Sequence, residues 1–104
     1  MAISIYNAVG FDWDEGNRAK CQKHGVAPSE IEAIFASDIA VRPDLHHSLD
    51  EFRYQAIART GAGRHLFMVF TLRERDGQVL IRPISARFMH KREIARYEKE
   101  NPGL

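Results

Sequence analysis

The stretch His65-Leu66-Phe67-Met68-Val69-Phe70-Thr71-Leu72-Arg73, followed by Glu74-Arg75-Asp76-Gly77 and then Gln78-Val79-Leu80-Ile81-Arg82-Pro83-Ile84-Ser85, decides the fold. Two strand-like runs flank Asp76-Gly77, a pair that favours the positive φ angles of a two-residue hairpin turn. Leu66 to Phe70 shows no polar alternation, so this run is expected to be a central strand with helices on at least one side. Upstream, Phe52 to Thr60 reads as another strand, joined to His65 through the turn Gly61-Ala62-Gly63. Short connections between successive strands favour an antiparallel meander. Downstream, a helix is expected from about Met89 to Glu100, ending before Asn101-Pro102-Gly103. Ile94 and Tyr97 would face its core side at i, i+3.

The first half reads as helical. Asp12 and Glu15 have capping-box spacing, which starts a helix running to about His24 and stopping at Gly25. Pro28-Ser29 opens a second helix, with Ser29 and Glu32 as its box and Ile31, Ile34 and Phe35 as its apolar stripe. Ile39 to Arg42 is a short strand closed by Pro43, and residues 43–51 form a polar loop. Residues 2–9 are read as a short edge strand. The expected fold class is α+β: two helices, a three- to four-stranded antiparallel sheet, then a C-terminal helix.

The chain has 104 residues, enough for one domain over residues 1–104 and too few for two. Its apolar share of 44% and charged share of 28% are those of a globular protein, which excludes disordered and low-complexity classes. No run approaches the roughly 20 apolar residues of a membrane span, and Met1 to Gly10 lacks a basic leader region. A single cysteine, Cys21, excludes an intramolecular disulfide and multi-thiolate zinc sites, so a reducing cytoplasm is the expected compartment.

The net charge of +1 hides a polarised chain. Residues 1–51 carry four Lys and Arg against nine carboxylates, a balance of −5; residues 52–104 carry eleven against five, a balance of +6. Such asymmetry fits either a polyanionic partner or two halves that neutralise each other across the fold.

Four clusters could carry chemistry. Lys23-His24-Gly25 ends the first helix, where cations complement the helix dipole; that reading is favoured over His24 as a proton carrier with Lys23 as a phosphate contact. Glu51 and Arg53 lie two apart at a strand entrance, either as a surface ion pair or as a functional carboxylate–guanidinium couple, with the ion pair favoured. Arg82 sits inside an apolar run, and Arg87 just before a helix N-terminus, where backbone N–H groups attract anions. Arg92 and Arg96 share one face of the last helix at i, i+4, a face that is usually just solvated. Adjacent histidines such as His46-His47 converge poorly on a metal, and no nucleotide or cofactor motif is present, so neither a metal nor a cofactor is expected.

Taken together, several pieces resemble the BrnT-type toxins. They are Phe11-Asp12-Trp13-Asp14, Asn17, Lys23-His24-Gly25-Val26, Phe35 before Asp38, Glu51-x-Arg53, Arg73, Ile81-Arg82-x-Ile84-Ser85-Ala86-Arg87, and Arg92-Glu93 with Tyr97. The resemblance covers residues 11–98 and rests on order and spacing. It implies a fold like that of RelE-type ribonucleases, a metal-independent ribonuclease that blocks translation, and a cognate DNA-binding antitoxin through which alone DNA is contacted. Gly16 inside the first helix, Pro83 inside a strand and Phe88-Met89-His90 after the last strand depart from the pattern. Pro83 confines its strand position to an edge or a bulge. Metal-free RNA cleavage uses the substrate's 2′-hydroxyl as nucleophile and needs a base, an acid and cations. The candidates are His24 or Glu51 for proton transfer, Arg53, Arg82 and Arg87 for phosphate, and Lys23, Arg73, Arg92 and Arg96 as further RNA contacts. The competing reading is a catalytically silent binding module. A DNA-binding regulator is disfavoured, because the second helix carries Glu30 and Glu32 rather than a basic face.

Overall fold

The structure, a computed structural model, describes residues 7–37, 39–45 and 51–100. Its elements are β1 (Ala8–Phe11), α1 (Glu15–Gln22), α2 (Pro28–Ile34), β2 (Ala40–Pro43), β3 (Tyr54–Arg59), β4 (His65–Arg75), β5 (Gln78–Phe88) and α3 (Lys91–Glu100). The α+β class and the order of two helices, sheet and helix are as expected. The sheet is larger: five strands in the order β1-β5-β4-β3-β2. β2 to β5 form the antiparallel meander, while β1 adds a parallel edge strand beside β5, with Phe11 opposite Ile81. Among the described residues the N-terminal strand runs Ala8–Phe11, past the expected end at residue 9; residues 2–6 of the expected strand fall outside the described part of the chain.

β4 occupies the centre of the sheet, as its unbroken apolar run requires. Leu66, Met68 and Phe70 are fully buried on one face. There they meet Cys21, Val26, Ile31 and Ile34 from the two N-terminal helices and their connection. Phe70 anchors this core, stacked on Tyr54 with centroids 5.2 Å apart and edge-on to Phe35 at 5.2 Å. The other face is only partly covered. α3 packs there at one end of the sheet, through buried Tyr97 against His65 at 6.1 Å between ring centroids.

The helix frames shift in detail. The N-cap of α1 is Asp14, not Asp12: Asp14 Oδ1 accepts from the Asn17 N–H at 2.9 Å, and Asn17 Oδ1 accepts from the Asp14 N–H at 2.8 Å. Asp12 is unavailable for capping because its own N–H extends the β1 pairing by donating to the Ile81 carbonyl at 2.8 Å. α1 ends at Gln22, before His24, and Gly25 follows with a φ of +82°, which a side chain would strain. In α2, Pro28 takes the first helical position and Glu30, rather than the Ser29–Glu32 pair, accepts from the Ala27 N–H at 3.0 Å. Glu32 instead accepts from the Trp13 indole at 2.9 Å. α3 begins at Lys91, two residues later than expected.

The Asp76-Gly77 hairpin forms with φ of +52° and +78°. Across it Val69 pairs with Ser85 and Phe70 with Pro83, so Ile84 is an extra, bulged residue. The bulge lets Pro83, which lacks an N–H, sit in an interior strand.

Candidate functional site

Arg82 and Arg87 are five residues apart, an odd spacing that would point them to opposite faces of a regular strand. The Ile84 bulge resets this parity. Arg82 pairs with Thr71 and Arg87 with Phe67, and those two are an even four residues apart on β4. Both arginines therefore lie on the sheet face away from the α1–α2 core, with Arg73 two residues beyond Thr71.

At one end of this face the N-terminus of α1 approaches the Pro83–Ile84 bulge and encloses a cleft of about 700 Å³. Asp14, Gly16, Asn17, Lys20, Glu51, Arg53, Arg73 and Arg82 are among the residues that line it. Arg82 is 19% exposed and reaches two carboxylates: its Nη2 donates to Asp14 Oδ2 at 2.8 Å, and its Nη1 lies 3.4 Å from Asp12 Oδ2. Asp12 also holds Arg75 at 3.1 Å. The Asn17 backbone bond and then the Arg82 guanidinium hold the Asp14 carboxyl below its ordinary range. Glu51 precedes β3 rather than lying in it, and its carboxylate pairs with Arg73 at 3.1 Å, while Arg53 lines the same cleft. Arg73 Nε is buried with no hydrogen-bond partner among the described residues.

Asp12, Asp14 and Glu51 of the acidic half pair with Arg75, Arg82 and Arg73 of the basic half, so the halves do neutralise each other in part. The cleft nonetheless gathers four cations, Lys20, Arg53, Arg73 and Arg82, against the three carboxylates of Asp14, Glu15 and Glu51.

Arg87 is built into the fold. It donates from Nη1 and Nη2 to the two carboxylate oxygens of Glu93 at 2.8 and 2.7 Å, and its guanidinium lies 4.9 Å from the Phe67 ring centroid. Glu93 also accepts from the His90 N–H at 2.9 Å, the backward half of a capping box, so this pair ties the start of α3 to the end of β5. The Arg87 hydrogen bonds, with the His90 bond behind them, lower the Glu93 carboxyl from 4.5 to about 2. A depressed folded value means that the pair stabilises fully above pH 4.5 and that this contribution fades as pH falls toward 2. Glu93→Gln is expected to flatten the pH dependence of the thermal midpoint across that window; an unchanged slope would show that the pair adds no net stability.

The remaining candidates lie elsewhere. His24 and Lys23 are exposed in the turn after α1 and do not line the cleft, Lys23 being the helix C-cap. Arg92 is exposed on α3. Arg96 pairs with Glu100 at 3.4 Å and borders a second groove, of about 300 Å³, with Phe67, Met89 and Tyr97. Asp38, His46, His47 and Asp50 lie outside the described residues. Sequence reasoning missed Asp14, Asn17 and Lys20 as cleft residues. The Asp14-x-x-Asn17 spacing carried the capping signal, but nothing local links it to Arg82, 68 residues away.

The fold and cleft define a small α+β protein with a cluster of arginines and carboxylates on an open sheet face. A family model described as the ribonuclease toxin, BrnT, of type II toxin–antitoxin systems matches residues 13–93, and the chain belongs to that family. No curated protein matches it. Among the described residues no helix is long and apolar enough to cross a membrane.

Proposed function

We propose that this toxin cleaves RNA in the cleft between α1 and the β4–β5 hairpin, without a metal ion, and that cleavage stops translation. The observation that carries this reading is the convergence of Arg53, Arg73, Arg82 and Glu51 in one cleft. Glu51 takes the proton of the RNA 2′-hydroxyl. The 2′-oxygen bonds to phosphorus, the bond to the 5′-oxygen breaks, and that oxygen takes a proton from water. The products are a 2′,3′-cyclic phosphate and a 5′-hydroxyl. Arg53, Arg73 and Arg82 stabilise the charge that builds on the phosphoryl oxygens. Arg87 lies about four strand residues, or roughly 13 Å, from Arg82 along the sheet and contacts a neighbouring phosphate. The toxin–antitoxin class implies an antitoxin partner; in this reading it is the DNA-binding protein and covers the cleft in the cytoplasm.

The test is purified protein with end-labelled RNA in EDTA. Cleavage that persists in EDTA, yields a cyclic phosphate and fails on RNA carrying a 2′-deoxy residue at the cut site supports the mechanism. RNA binding is expected to weaken steeply between low and physiological salt as counterions are released. Binding without any cleavage would favour the silent module. Because Arg87 also anchors α3, Arg87→Lys is a cleaner probe of phosphate contact than Arg87→Ala, which strands the Glu93 carboxylate.

A further inference from the structure

The capping box of α1 does more than start a helix. Asn17 is 5% exposed, and each polar group of its side chain is used. Its Oδ1 accepts from the Asp14 N–H, and its Nδ2 donates to the Asp12 carbonyl at 2.9 Å and to the Pro83 carbonyl at 2.8 Å. Pro83 adjoins Arg82 in the bulged segment. The same box thus ties the helix to the bulge and fixes the Asp14 carboxylate, of which Oδ1 caps the helix while Oδ2 meets Arg82. Gly16 keeps this carboxylate uncrowded, since a Cβ there would stand 3.3 Å from Asp14 Oδ1. Asp12 grips the other terminal nitrogen of Arg82 from the end of β1. A guanidinium has five N–H donors. The two carboxylates meet one terminal nitrogen each and leave it further donors for a phosphate.

We propose that Asp14, locked by Asn17, is a positioning residue for Arg82. It fixes the guanidinium in the orientation that meets the phosphoryl group in the transition state, and it does so without touching RNA. This inference rests on the cleft being the site of cleavage. A long arginine side chain otherwise samples many rotamers, and small misplacements of a charge-stabilising group cost up to about 10²-fold in rate. The helix cap and the tether use different oxygens, so they can be separated. Asparagine and serine cap helices about as well as aspartate but bring no negative charge to Arg82.

The experiment measures kcat and KM for RNA cleavage by the full chain, as native protein, Asp14→Asn, Asp14→Ser, Arg82→Ala and the Asp14→Asn/Arg82→Ala double variant, with thermal unfolding alongside. The expected result is a 10- to 100-fold fall in kcat for both Asp14 variants, a KM changed less than threefold, and little loss of thermal midpoint. In the Arg82→Ala background, Asp14→Asn is expected to change kcat less than twofold, because the residue acts only through Arg82. Fully multiplicative effects would overturn the proposal, as would Asp14 variants with native kcat. Asp14 variants that bind RNA more tightly at undiminished kcat would overturn it too, by making Asp14 a competitor of phosphate. If one Asp14 variant fails to fold, the other decides. Arg82→Ala cutting at the native rate would instead overturn the reading of the cleft, and this inference with it.

Discussion

Glu51→Gln is expected to cut RNA about 10²- to 10⁴-fold more slowly than the native chain, the range typical of losing a general base. The substitution keeps size and hydrogen-bonding capacity next to Arg73 but removes the proton acceptor. The fold should survive, because Glu51 lies in the segment leading into β3 and its ion pair is partly open to solvent. If the cleft is the RNA site as proposed, RNA affinity should hold or rise, since a negative charge is removed from beside the polyanion. His24→Gln is the matched control. His24 is exposed beyond the far end of α1, so its loss is expected to leave the cleavage rate within about threefold of native. Rates from single-turnover assays on labelled RNA decide between them. If His24→Gln were inactive and Glu51→Gln active, the roles would be reversed and the site would not lie in the cleft.

The second large effect concerns stability. Phe70→Ala is expected to destabilise the fold by about 3–5 kcal/mol, measured by urea unfolding. Phe70 is 0% exposed on the central strand and touches aromatic partners from both the sheet and α2's end, Tyr54 and Phe35. Few neighbours can collapse into the void, because the surrounding strand positions are held in register on both sides of β4. A domain of this size is typically stable by only about 5–15 kcal/mol, so much of its stability would be lost. A loss below about 1 kcal/mol would show that the ring is not packed as described. Phe70 faces the core side of the sheet, so its effect on cleavage should follow the folded fraction and not the cleft chemistry.

Much of this architecture was written locally. The unbroken Leu66–Phe70 run placed β4 at the centre of the sheet, since only a strand covered by neighbours can bury so many consecutive apolar residues. Asp76-Gly77 fixed the β4–β5 hairpin through backbone preference alone. Pro83, unable to donate to a ladder, marked an edge or a bulge four residues before Arg87, and the bulge is the outcome at Ile84. The apolar spacing of Ile31, Ile34 and Phe35 set the buried side of α2, although the capping frame of both N-terminal helices was displaced, because competing acceptors and the β1 pairing decide which residue caps. Glu51, Arg53, Arg73 and Arg82 could be singled out by residue type and by the family resemblance.

Their assembly could not be. A parallel edge strand such as β1 gains its hydrogen bonds from β5, some seventy residues on, and no local preference encodes that partner. The bulge at Ile84 brings Arg82 and Arg87 to one face, but whether an extra residue is absorbed at 84 or elsewhere depends on register across the whole β4–β5 ladder. The separation of His24 from the cleft follows from where α1 ends and how it lies on the sheet. The Asp14–Arg82 pair joins residues 68 apart where Asn17 ties α1 to the Pro83 carbonyl, contacts that only the packed fold brings together. Backbone preference and apolar periodicity act over a few residues and so are legible in a sequence. A charged cleft depends on which side chains distant segments bring within a few ångströms, and that distance exists only in the folded chain.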